Sequence, residues 1–291
     1  MARVRRLAAP TGARRSAARG LAWPGRWVLA AGLLICLSAA SAGLARGQAA
    51  SGWSAQSIGP ADLDAVAALP GTSTAWAVGG GGAVYATADG STWAARAVGA
   101  TTRHLRAIAV AAAGGAAAGD AGSTAVWAVG DGGTILRSAD GGASWSTIVV
   151  AGVSQRLNGV AAPDPSTAWI VGDVDSSSGS PVVLRTIDGG ASWFRYELGT
   201  TSRLLAVAAA GTTVWAVGDS GTVLTKSGAG GWVPHANAAP QTLFGVAAVQ
   251  GGVAWAVGAN GTLATSRDGG ATWSARSIAA QTLLAVAAAS D

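Results

Sequence analysis

Residues 127–145 read WAVGDGGTILRSADGGASW, and residues 255–273 read WAVGANGTLATSRDGGATW. The tetrad Trp-Ala-Val-Gly also begins at Trp76 and Trp215, and Trp169-Ile170-Val171-Gly172 is a variant of it, so the spacings are 51, 42, 46 and 40 residues. A second tryptophan follows each tetrad, at Trp93, Trp145, Trp193, Trp232 and Trp273. Upstream of each lies Leu-x-x-(Val/Ile)-Ala, starting at Leu63, Leu105, Leu157, Leu204 and Leu243, with a sixth copy at Leu283. Self-similarity at this period marks a repeat architecture, and it is read before any single element.

Within one unit the apolar runs are short and bounded by Gly, Asp and Ser. In the third unit they are LNGVAA (157–162), TAWIVG (167–172), VVLRT (182–186) and SWFRYEL (192–198). Runs of this length, rich in Val, Ile, Leu and Trp, are strand signals. Alanine prefers helix, but no run holds a helical period, and the 44 glycines punctuate too often for paired-helix repeats. Four strands per repeat of this length predict the blade of a β-propeller in an all-β domain.

The turn between the third and fourth runs has its own pattern. It reads Ser138-Ala-Asp140-Gly-Gly-Ala-Ser144-Trp145, then Thr186-Ile-Asp188-Gly-Gly-Ala-Ser192-Trp193, then Ser266-Arg-Asp268-Gly-Gly-Ala-Thr272-Trp273. This is the Asp-box. An aspartate can accept hydrogen bonds from backbone N–H groups of its own hairpin, and the glycines supply positive φ. The tryptophan behind it can pack between strands or blades. The first unit has a shortened copy at Asp89 and Trp93, and the fourth lacks the aspartate (Ser227-Gly-Ala-Gly-Gly-Trp232). Both eroded hairpins are expected to form, because spacing and tryptophan persist.

On these motifs residues 53–288 resemble the Asp-box (BNR-repeat) propellers of the photosystem II stability/assembly factor family. The resemblance implies an exported propeller that assists assembly by contacting membrane-protein intermediates and that carries an arginine patch. Related repeats occur in sialidases, xyloglucan-cleaving glucanases and sorting receptors. The expected architecture is five complete four-stranded blades with partial terminal strands. Residues 52–58 match 272–278 and read as a fourth strand, while Leu283–Ala288 reads as a first strand. A six- or seven-bladed ring cut short at Asp291 and a five-bladed ring with extra flanking strands both fit this pattern.

Charge divides the chain into residues 1–45 and a propeller domain at 46–291. Seven arginines precede residue 46, and no Asp or Glu precedes Asp62. They lead into Trp27–Ala45, an uncharged and mostly apolar stretch followed by small residues, the layout of a signal peptide or an N-terminal membrane anchor. The domain is therefore expected in the periplasm, outside the cell, or on the outer face of the cytoplasmic membrane, with membrane contact only through that segment. From residue 46 onward twelve cations (eleven Arg and Lys226) face fourteen carboxylates, a net of −2. The pI of ≈ 10.6 thus belongs to the leader, and nucleic acid is excluded as a partner. The single cysteine, Cys36, excludes an intrachain disulfide and a multi-thiolate metal site.

Residue supply argues against catalysis. A sialidase-like site needs an arginine triad, a Tyr nucleophile with a Glu partner and an acid/base, and the body offers Tyr85, Tyr196 and Glu197. Tyr196 and Glu197 are adjacent, so on a strand they point to opposite faces. Two carboxylates flanking a cleft are also the general requirement of glycosidases, yet most aspartates lie in turns: Asp89, Asp140, Asp188 and Asp268 in the boxes, Asp131, Asp173 and Asp219 after Val-Gly. Asp62, Asp64 and Asp164 follow no paired pattern. His104 and His235 are 131 residues apart and read as structural histidines. The Gly-rich runs at 79–82 and 130–133 lie between two strands, with no helix N-terminus to hold phosphate, and read as hairpin turns.

One alignment points beyond structure. The residue before each repeat leucine is Asp62, His104, Arg156, Arg203, Thr242 and Thr282 in turn, with Arg103 and Arg106 flanking the second. Equivalent positions in successive blades form a ring, so Arg103, Arg106, Arg156 and Arg203 are expected to form a basic arc able to dock an acidic peptide, carboxylate or lipid headgroup. The functional expectation is an exported, non-enzymatic scaffold for protein interaction, with no cofactor and no metal. The alternative is a carbohydrate-active or carbohydrate-binding propeller of sialidase or glucanase type.

Overall fold

The computed structural model describes residues 56–97, 99, 101–113, 124–235, 239 and 241–288. The leader with Cys36, and residues 52–55 of the expected opening strand, lie outside this range. The described chain forms five antiparallel four-stranded sheets, each a meander in chain order. Blade 1 comprises β1 (Leu63–Ala68), β2 (Ala75–Gly79), β3 (Val84–Thr87) and β4 (Ala94–Ala95). Blade 2 comprises β5 (Leu105–Ala112), β6 (Thr124–Gly130), β7 (Ile135–Ser138) and β8 (Ser146–Ile148). Blade 3 comprises β9 (Leu157–Ala161), β10 (Ala168–Val174), β11 (Pro181–Thr186) and β12 (Phe194–Arg195). Blade 4 comprises β13 (Leu204–Ala210), β14 (Thr213–Gly218), β15 (Val223–Ser227) and β16 (Val233–Pro234). Blade 5 comprises β17 (Leu243–Val249), β18 (Val253–Gly258), β19 (Thr262–Ser266) and β20 (Ser274–Ser277). First strands pack side by side in chain order, β1 on β5, β5 on β9, β9 on β13 and β13 on β17, as in a β-propeller.

The core is a series of slabs between blades. One slab joins Trp76, Val78 and Val84 of blade 1 to Leu105, Ile108 and Val126 of blade 2. The next joins Trp127, Val129 and Ile135 to Leu157, Val160 and Ile170. Blades 3 and 4 meet through Trp169, Val171, Leu204 and Val207, and blades 4 and 5 through Val217, Val223, Leu243 and Ala256. Each tetrad strand is covered on both faces, which is why it reads as an unbroken apolar run instead of alternating; every residue of β2 and of β6 is buried.

Near the axis the first strands crowd, and this accounts for the alanine. A Cβ on Gly159 would lie 3.1 Å from the Ala206 Cα, so nothing larger than the Ala and Gly at these positions fits between neighbouring strands. The tetrad glycine has a different cause. At Gly79, Gly130, Gly172, Gly218 and Gly258 a Cβ would overlap the carbonyl oxygen before the repeat leucine: that of Asp62, His104, Arg156, Arg203 and Thr242. That carbonyl accepts the next amide, from Gly80, Asp131, Asp173, Asp219 and Ala259 at 2.8–3.1 Å. The close approach locks first and second strands together in every blade.

Each first strand is bulged directly after its leucine. Leu105 pairs with Gly130 and Ala107 with Val129, leaving Arg106 as the extra residue. The same shift isolates Asp64, Asn158, Leu205 and Phe244. A bulge re-aims the extra side chain, here toward the face that carries the turns between second and third strands.

The opposite face carries the aspartate turns. Asp140 Oδ1 accepts the Ser138 hydroxyl at 2.7 Å and the Ser144 amide at 2.9 Å, and Oδ2 accepts the Ser144 hydroxyl at 2.5 Å. Asp188 and Asp268 repeat this with Thr186 and Ser192, and with Ser266 and Thr272. The shortened turn forms too, with Asp89 accepting the Thr87 hydroxyl and the Ser91 and Thr92 amides. In blade 4 the hairpin forms without an aspartate. The buried Lys226 ammonium donates to the Gly228 and Gly230 carbonyls, holding the turn by its acceptors instead of its donors. Burial and the nearby Arg185 charge push the Lys226 pKa down.

The expected terminal strands are only partly formed. Residues 56–58 are not in a ladder, although Gln56 bonds Gly90 and accepts the Trp93 indole N–H at 2.8 Å. Residues 283–288 also lack a ladder assignment, but they lie where a sixth first strand belongs. The Leu283 amide donates to Gly258, and Gly245 faces Ala285 as Gly159 faces Ala206.

Candidate docking rim

The expected arginine arc lies at one turn face. Because this turn is closed by backbone bonds (Gly130 N–H to Thr134 O at 3.0 Å, Thr134 N–H to Asp131 O at 3.3 Å), the Asp131 carboxylate is free to face outward. Arg106 grips it with two nitrogens, Nε to Oδ1 at 2.5 Å and Nη2 to Oδ2 at 3.2 Å. Arg156, from the loop before β9, adds Nε to the same Oδ1 at 3.2 Å. Arg103, from the loop before β5, lays its guanidinium on the Gly132 backbone, where a Cβ would overlap it. Arg103 and Arg106, from the stretch leading into β5, and Arg156, from the loop before β9, thus converge on residues 131–133.

The electrostatics follow from those contacts. The Arg106 hydrogen bond, reinforced by the Arg106 and Arg156 charges, holds the Asp131 carboxyl below the usual carboxylate range and raises the Arg106 pKa. Arg203 is separate, paired with Asp219 of its own blade at 2.7 Å, which raises its pKa. The arc therefore divides into a cluster on blade 2 and its junction with blade 3, where Asp64 and Asp173 add their charges to that of Asp131 around Arg106, and a neutralised pair on blade 4. The aspartates after Val-Gly were expected to serve their turns; Asp131 and Asp219 instead neutralise arginines.

Bulge residues extend this network across blades. Asp64 of blade 1 meets His104 of blade 2 at 2.5 Å, and Asn158 of blade 3 donates to Asp173 at 2.8 Å and to the Leu204 carbonyl at 2.9 Å. Asp64 and Asp164 are thus engaged, the latter accepting the Ser166 hydroxyl and the Thr167 amide. The sequence pattern placed the ring at the residue before each leucine and named Arg106 as a flank, but it did not mark the bulge position one residue after each leucine, which Asp64 and Asn158 also occupy. The odd Leu-x-x-Val spacing is the signal that marks them, since two inward side chains three apart require an inserted residue.

The remaining candidates do not converge. Tyr196 packs on Trp169 with centroids 5.6 Å apart, whereas Glu197 is exposed and faces Arg195. His235 bonds Thr225 at 2.7 Å. Among the described residues no group of three His, Cys, Asp or Glu side chains is placed to hold a metal, and no helix is long and apolar enough to cross a membrane. The box tryptophans Trp145, Trp193 and Trp273 each donate Nε1–H to a glycine carbonyl of their own turn at 3.1–3.2 Å.

No protein-family model and no curated protein matches the chain. Solved structures do. A streptogramin B lyase aligns with TM-score 0.58 at 11% identity over 74% of this chain and 68% of that one. The GH74 enzyme of Niastella koreensis aligns with TM-score 0.56 at 15% identity over 73% of this chain and 38% of that one. YCF48 bound to a D1 peptide aligns with TM-score 0.40 at 17% identity over 74% of this chain and 80% of that one. The likeness to the first two establishes the fold: this chain is a β-propeller.

Proposed function

We propose that the protein is an exported, non-catalytic β-propeller that presents the arginine-bearing turn face to a protein partner, in the manner of the photosystem II stability/assembly factors it resembles. One observation carries this reading: Arg103, Arg106 and Arg156 converge on a single turn, and the Arg103 guanidinium has no carboxylate partner among the described residues. Guanidinium groups held in this way suit an acidic partner, because they pair with carboxylates in a fixed geometry. The aspartates that a glycosidase would use are held in turns and ion pairs, which disfavours the carbohydrate-active alternative. Export rests on the arginine-rich leader and its apolar stretch; a membrane-protein assembly intermediate is the partner class that location favours.

The test is charge reversal on the rim. Arg156→Glu with Arg203→Glu is expected to reduce recovery of partners from the native membrane fraction while the thermal melt stays within a few degrees. Undiminished recovery by the double variant sinks the reading, and turnover of fluorogenic glycosides by the purified protein would replace it with the carbohydrate-active one.

A further inference from the structure

Beside the arginine cluster lies a hollow of ≈ 220 Å³ whose walls include Thr101, Arg103, Gly133, Ile148, Val149 and Val153. Val149, directly after β8, is 86% exposed, the highest value among the large apolar side chains of the described residues. Arg103 is exposed, and its guanidinium has no carboxylate partner among the described residues. An apolar wall and an unneutralised guanidinium therefore line the same concavity.

We propose that this hollow docks an extended peptide segment of a partner protein in which an acidic side chain and a bulky apolar side chain stand two positions apart. This rests on the rim being a protein-docking face and names the chemistry it selects. A free anion would pair with Arg103 but leave Val149 uncovered; an apolar side chain alone would leave the charge unmatched. Residues i and i+2 of an extended chain share a face. The carboxylate is assigned to a side chain, and a chain terminus is the competing source.

The experiment measures binding of the full chain to a fluorescent, end-blocked peptide, Ac-Ser-Glu-Ser-Leu-Ser-NH2, by polarisation. The control peptides replace Glu by Gln, place Glu and Leu side by side, or carry a free C-terminal carboxylate with Gln in place of Glu. The Glu-x-Leu peptide is expected to bind at least about tenfold tighter than the first two, the scale of one charge-assisted contact. Arg103→Ala and Val149→Ser are each expected to weaken it about tenfold without changing the melt, since both side chains are exposed. Equal binding of the Gln peptide, unchanged affinity in either variant, or binding only to the free-terminus peptide overturns the proposal. If Arg156→Glu with Arg203→Glu abolishes partner recovery while both hollow variants bind the peptide normally, the hollow fails and the rim reading stands.

Discussion

The indole Nε1–H of Trp76 in blade 1 donates to the carbonyl of Gly141 in blade 2 at 3.2 Å. The tetrad tryptophan of one blade thus lies under the aspartate turn of the next. The ring of Trp127 meets Trp193 edge-on at 5.9 Å, and Trp169 meets Trp232 at 5.7 Å in the same way. A Cβ on Gly142 or Gly270 would overlap or press on the indoles of Trp76 and Trp215. Blade-to-blade cohesion therefore runs through a tryptophan and a glycine from neighbouring repeats. Trp76→Phe keeps most of the ring but loses the bond, and is expected to cost about 1 kcal/mol. Trp76→Ala also removes the packing and is expected to cost about 3–5 kcal/mol. Urea unfolding measures both; equal midpoints for the two variants would place the stabilisation elsewhere.

The aspartate turns predict an acid limit. The Ser144 hydroxyl and amide and the Ser138 hydroxyl hold Asp140 down to about 2, and Asp188 and Asp268 sit at about 2 through Ser192 and Thr272. An unfolded aspartate titrates near 3.9. Because the folded values are lower, the turns add stability that is fully present above about pH 4 and is lost as pH falls through about 2. The urea midpoint is therefore expected to stay flat from pH 7 to 5 and to drop below pH 4. In the triple Asp→Asn variant at 140, 188 and 268 the midpoint is lower at neutral pH and its acid slope is shallower. A triple variant with the full acid slope would show that other carboxylates dominate.

The tetrad glycine makes a sharper prediction. Gly130 has φ −170°, an extended conformation open to any residue, so its requirement is the touching His104 carbonyl alone. Gly130→Ala is expected to destabilise by about 1–3 kcal/mol through overpacking. Gly199→Ala, where nothing lies within 4 Å of the new methyl, is expected to stay within about 0.5 kcal/mol of the parent. Similar unfolding midpoints for the two would remove the steric account.

These glycines show what was legible from sequence and what was not. The tetrad, its spacing and the paired tryptophans sufficed for the four-stranded blade, because a strand covered on both faces must be apolar throughout. The eroded turn at Ser227–Trp232 was legible as a hairpin, but its means of closure was not: that Lys226 binds turn carbonyls depends on burial that no local pattern encodes. The fourth strands were over-read. SWFRYEL suggests seven residues, and β12 has two, Phe194 and Arg195; beyond them contact with β11 and the residue before it continues through isolated bonds, from the Tyr196 amide to the Val183 carbonyl and from the Leu198 amide to the Ser180 hydroxyl. The rim arginines were legible as a group, yet their neutralisation was not, since Asp131 meets Arg106 and Arg156 only after bulge, turn and loop are in place.

That neutralisation can be removed experimentally. Asp131 is the carboxylate that Arg106 and Arg156 both bond, and its side chain is 34% exposed, so its ion pairs sit in a largely solvated setting and contribute little to stability. Asp131→Asn keeps the shape of the turn, whose closure uses the residue 131 carbonyl and not its side chain. The variant is expected to unfold within about 1 kcal/mol of the parent. Its rim gains one unit of positive charge at the point where three guanidinium groups already meet. Retention on a carboxylate-bearing cation-exchange resin should therefore rise, with elution moving to higher salt, and the Glu-x-Leu peptide should bind more tightly at low ionic strength than at high. Asp219→Asn is the matched control, since it frees only Arg203 and lies two blades away. If both variants shift elution equally and neither changes peptide affinity, the convergence of arginines on residues 131–133 adds nothing beyond net charge.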